Sequence, residues 1–151
     1  MIHATPVPAE AGPVFRSARA GAADPVTRPG HYTSRSVECI AMTEAMGFCL
    51  GNAVKYLWRA GLKGAAAPDL RKAAWYVARE HERRLWGRPG PQGRTERDHA
   101  RFDGVLAEFQ GAVAEVIRLL WWADIDGGTV RLLEEAHARL AGMIADAEGR
   151  S

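Results

Sequence analysis

The sequence predicts an all-α protein, and three observations predict it. Apolar residues recur at steps of three and four along most of the chain, no segment of any length alternates with period two, and glycines and prolines cluster between the periodic runs. The expected architecture is a small bundle of three core helices followed by a C-terminal antiparallel helical hairpin.

The elements follow in order. Residues 1–23 are rich in Ala, Pro and Gly with little periodicity, which predicts a flexible arm. From Asp24 to Tyr32 the chain should be ordered but irregular. A first helix is expected from Ser36, a suitable N-cap, to Met46, with Gly47 ending it. A second spans Phe48 to Ala60 and stops at Gly61. A third opens with Pro68 at its first position, where the missing N–H costs nothing, and continues to Trp86. These make a helical core over residues 24–86. Residues 87–97 read as a linker, being rich in Gly, Pro and Arg.

A fourth helix, from Asp98 to Asp124, is expected to bury Phe102, Val105, Leu106, Phe109, Val113, Val116, Ile117, Leu120 and Trp121. Asp126-Gly127-Gly128 turns the chain, and Thr129 can cap a fifth helix with the stripe Leu133, His137, Leu140 and Ile144. The two helices form the hairpin, residues 98–148. Its stripe looks longer than a three-helix core can cover, so a homo-oligomer, dimer or higher, is expected.

Composition narrows the function. A chain of 151 residues with a net charge of +2 is one domain, or a small domain with an appendage, and is too weakly basic overall to point to nucleic acid. Charge is concentrated locally: from Arg71 to Arg97 arginines outnumber acids. Cys39 and Cys49 are too few for a disulfide framework and lack zinc spacing. No apolar run approaches the ~20 residues that cross a bilayer, and no h-region marks a secretory signal. A cytoplasmic location is the expectation.

The run Gly51-Asn52-Ala53-Val54-Lys55-Tyr56-Leu57-Trp58-Arg59-Ala60-Gly61 carries the sharpest chemical signal. Lys55, Arg59 and Lys63 fall four residues apart, on one side of the second helix and just past its end. The third helix offers Lys72, Tyr76, Arg79 and Arg83 at similar spacing. Cations beside aromatic rings suit a planar base bearing anionic phosphates. Lys55, Arg59, Lys63 and Lys72 are the candidate phosphate ligands, with Arg59 able to hold two oxygens at once. Asn52 can read a base edge or orient a phosphate. Tyr56 and Tyr76 are the candidate stacking rings, whereas Trp58 and Trp75 are expected in the core. Asp69, in the first turn of the third helix, is a favourable dipole partner and the candidate magnesium ligand. His31 and Tyr32, ahead of the core, are candidate ligand contacts. No Walker A loop occurs, and Asp124–Glu135 lacks the glycine of a calcium loop.

The motifs His31-Tyr32, Glu38-Cys39-Ile40, Gly47-Phe48, GNAVKYLWRAG with Lys63-Gly64, and Asp69-Leu70-x-Lys72-Ala73-x-x-Tyr76 resemble a phage-encoded family. Some of its members are described as nucleotide kinases without a P-loop. The resemblance spans roughly residues 24–85 and opens at Asp24-Pro25-Val26-x-x-Pro29. It implies a phage protein, acting in a host cell, that moves phosphate from ATP with Mg2+ onto a (deoxy)nucleoside monophosphate. Such transfer is mostly positioning and charge neutralisation. The alternative is a non-catalytic sponge that sequesters a signalling nucleotide of host defence, for which affinity alone suffices. A helical adaptor that meets a protein through its basic face is a third reading.

Overall fold

Six helices run through the described residues. The computed structural model describes residue 26 and residues 38–88, 93–127 and 129–149. The helices are α1 (Cys39–Thr43), α2 (Phe48–Arg59), α3 (Ala67–Leu85), α4 (Glu96–Ala107), α5 (Gly111–Asp126) and α6 (Arg131–Gly149), and no strand occurs among the described residues. The all-α expectation holds.

Helix α2 is amphipathic for the reason its spacing predicts. Leu50, Val54, Leu57 and Trp58 turn inward and are buried, while Lys55 and Arg59 stay on a partly wet edge. Helix α3 buries Leu70, Ala73 and Val77 and packs along α2. The loop between them turns on Gly61 and Gly64, with φ of +81° and +84°, a region where a β-carbon would clash with the backbone. Gly51 has a different purpose. A Cβ there would stand 3.2 Å from the Thr43 carbonyl oxygen, so its absence lets α1 lie close against α2.

The first helix is shorter than expected. Glu38 is extended at the N-cap and α1 stops at Thr43, whose hydroxyl donates back to the Cys39 carbonyl at 3.1 Å. Gly47 is extended too, because its N–H is taken by the Asp124 carboxylate, at 3.0 and 3.3 Å from the two oxygens.

The single fourth helix is corrected to two. The chain leaves the helix at Glu108, and Gly111, with a φ of +59°, opens α5. The apolar repeat runs on through this break because Phe109 remains a core residue, edge-on to Trp58 at 5.3 Å. Re-aiming the axis there lets α4 and α5 meet different sides of one core. Thr95 starts α4 with a reciprocal cap: its hydroxyl accepts the Asp98 N–H at 3.2 Å, and its own N–H donates to Asp98 Oδ2 at 2.9 Å. That N–H bond, with a second from the Thr95 hydroxyl to the same oxygen at 2.8 Å, holds the Asp98 carboxyl below its usual value. The expected linker is therefore anchored at its end, since Arg94 is buried in an ion pair with Asp124.

Helices α5 and α6 pair as expected, and α6 also packs along α3. Its buried stripe is Leu133, Ala136 and Leu140; His137 is exposed, because Ala136 allows the closer approach. One apolar cluster, with Trp58, Val77, Ile117, Trp121 and Leu140 among its members, joins the two expected units. Val116, Ile117 and Leu120 are covered within this chain, so the long stripe no longer argues for a dimer. No helix among the described residues is long and apolar enough to cross a membrane.

Candidate functional site

The antiparallel packing of α2 and α3 brings five of the expected site residues together. Tyr56 and Tyr76 stack, with ring centroids 5.9 Å apart and an interplanar angle of 20°. Three cations converge on the Tyr56 ring: Lys55 Nζ lies 4.9 Å from its centroid, Arg59 Cζ 5.2 Å and Lys72 Nζ 5.3 Å. Lys55 and Arg59 are neighbours on one helix, and Lys72 comes across from the other. The π face of an electron-rich ring is what allows like charges to gather this closely.

Asp69 sets the geometry of the group. Arg59 Nε donates to Asp69 Oδ2 at 3.0 Å and Nη2 to Oδ1 at 2.5 Å, a two-point pair that bridges the α2–α3 loop. The Asp69 side chain is 8% exposed and that of Arg59 21%, so water screens the pair weakly. Both carboxylate oxygens thus face a guanidinium. Among the described residues no three His, Cys, Asp or Glu side chains stand where they could hold a metal ion.

Asn52 points its amide along its own helix, donating to the Phe48 carbonyl at 2.7 Å. Lys63 is exposed in the loop, and no ring contact or ion pair ties it to the group around Tyr56. His31 and Tyr32 lie outside the described residues. Lys55 and Lys72 have no carboxylate partner among the described residues.

Beyond Tyr76 opens a cleft of about 460 Å³ lined by Gly47, Phe48, Cys49, Trp75, Tyr76, Arg79 and Arg83. Phe48 and Trp75 both meet Tyr76 edge-on, at 6.1 and 5.0 Å. Trp58 is buried as expected, but Trp75 is 61% exposed and Phe48 78%. Sequence reasoning therefore missed two rings of the cleft. The signal was present: Trp75 falls between Lys72 and Arg79, on the polar face of α3 and away from Leu70, Ala73 and Val77. Burial pushes the Cys39 thiol up to about 12, and burial, with Glu80 second, raises the Cys49 thiol. Neither is a ready nucleophile at neutral pH.

A family model described as a protein of unknown function, DUF3310, matches residues 26–78. That stretch holds the converging cations and both stacked tyrosines. No curated protein and no solved structure matches the chain. The expected membership of a family of P-loop-less nucleotide kinases is corrected accordingly: the matching model carries no assigned activity, and no kinase family is indicated.

Proposed function

We propose that the protein binds and sequesters a phosphorylated nucleotide on the α2–α3 face. The observation that supports this is the convergence of Lys55, Arg59 and Lys72 on Tyr56, beside an aromatic cleft. Lys55 and Lys72 supply two charges with no protein counter-ion among the described residues, and anionic phosphate oxygens complement them. Arg59, fixed in direction by Asp69, adds a third charge to the group. The base enters the cleft against Tyr76, Trp75 and Phe48, where offset stacking and edge contacts favour a flat ring.

Capture is the favoured reading because these groups provide affinity. The carboxylate that joins the cation group, Asp69, is engaged by Arg59 through both oxygens. The deciding experiment is titration calorimetry with nucleoside mono-, di- and triphosphates, run beside a product assay. Stoichiometric binding with intact ligand recovered after denaturation is expected. Multiple turnovers, or equal affinity for an unphosphorylated nucleoside, would overturn the reading.

A further inference from the structure

The outer face of α3 carries a second pattern, which begins at the cleft residues Trp75, Arg79 and Arg83 and runs on to Trp86 beyond them. Trp75 and Trp86 are eleven residues apart, within about 20° of three full helical turns, so they project from one side of α3 and its cap. They are 61% and 63% exposed. Arg79 lies between them, its guanidinium 5.6 Å from the Trp86 ring centroid. Arg83 follows one turn later. An apolar partner surface would leave these cations desolvated, whereas an anionic ligand that carries flat rings matches both components.

The length of the stripe sets the size of that ligand. Trp75 to Trp86 spans roughly 16 Å at the α-helical rise. A stacked strand advances about 3.4 Å per nucleotide, so a single nucleotide cannot reach both indoles and a short strand can. We propose that this face binds single-stranded nucleic acid, with bases stacked on Trp75 and Trp86 and phosphates on Arg79 and Arg83.

The arginines are available at small cost. Arg79 pairs with exposed Glu82 at 3.0 Å, and such surface pairs contribute little. Arg83 pairs with buried Glu80, but Glu80 keeps Arg84 at 3.1 Å when Arg83 swings outward. Tyr76 braces Trp75 edge-on at 5.0 Å, so little ring entropy is lost on stacking. The weak net charge of the whole chain does not bear on a face where the charge is local.

The test is fluorescence anisotropy of a labelled ten-nucleotide oligothymidylate, with thymidine monophosphate as competitor. Micromolar or tighter binding is expected, which saturating monophosphate weakens by no more than roughly tenfold, the share of Trp75. Trp86→Ala and Trp75→Ala should each weaken it by roughly tenfold, a typical stacking loss for one base. Arg79→Ala should lower the slope of log affinity against log salt by about 0.7, one phosphate on a single strand. Circular dichroism checks the fold, and Trp86→Ala, remote from Lys55 and Tyr56, should keep its nucleotide titration unchanged. Unaltered strand affinity in the double tryptophan variant, or complete displacement by the monophosphate, would overturn the proposal. Lys55→Ala, which should lose nucleotide binding, is expected to retain strand binding, because Lys55 lies outside the Trp75–Trp86 stripe.

Discussion

Asp69 grips Arg59 through both carboxylate oxygens, at 3.0 and 2.5 Å, across the loop that joins α2 to α3. The pair does two things together. It fixes the spacing of the helices that carry the candidate site, and it fixes the direction of one of three converging cations. Asp69→Asn separates these roles from simple neutralisation. If Asp69 only cancelled charge, removing it would tighten anion binding. As a positioning residue it should do the reverse: nucleotide affinity falls, and unfolding free energy drops by about 1.5–3 kcal/mol, as for hydrogen bonds to charged groups. Urea denaturation and calorimetry read the two effects, and a rise in nucleotide affinity would contradict the positioning role.

Lys55 and Lys72 approach one ring from two helices, so their loss should be felt together. Each alanine variant is expected to weaken nucleotide binding by about 1.5–3 kcal/mol. Stability should change little, since both ammonium groups sit at the wet edge and Ala is a good helix former. Equal affinity of wild type and a folded Lys55→Ala/Lys72→Ala protein, measured by calorimetry, would remove the site.

Asp124 lies behind Gly47 of the cleft, and its chief effect should be on stability. It is fully buried, it accepts the Gly47 N–H at the start of α2, and it pairs with buried Arg94. The carboxylate at a helix N-terminus also meets the positive end of the helix dipole. Asp124→Ala leaves Arg94 buried without its partner, and a loss of about 3–5 kcal/mol is expected. Hydrogen exchange should show the first turn of α2 opening before the middle of α3. Unchanged stability in denaturant would mean that the pair is not formed in solution.

Alkaline pH should unfold the protein through Cys39. Burial raises its thiol from 9.0 to about 12. The unfolded thiol therefore ionises first, the unfolded state binds fewer protons between these values, and stability falls as pH rises from 9 towards 12. Cys39→Ala should flatten that slope, although it also opens a small cavity. Melting temperatures of the two proteins across this window provide the measurement. Parallel curves would show that Cys39 is not the titrating group.

The periodicity of the sequence was enough to determine the all-α class, the amphipathic faces of α2 and α3, and the grouping of Lys55 with Arg59 and of Lys72 with Tyr76. Helical spacing is a local property, so residues four apart share a face wherever the helix lies. Gly61 and Gly64 were legible for the same reason, since positive φ belongs to the turn itself. What the tertiary structure alone decided is everything that depends on who lies opposite. Gly51 looks like a flaw in a helix until Thr43 packs against it. The repeat through Phe109 reads as one helix, because a broken helix whose linking residue stays buried keeps the same apolar pattern. Trp75 was expected inside because tryptophan is large and apolar, but the faces of α3 that meet α2 and α6 leave it in solvent. Asp124, 77 residues from Gly47, could be joined to it by no local rule. Its pairing with a helix start and a buried arginine exists only once the C-terminal helices have folded back onto the core.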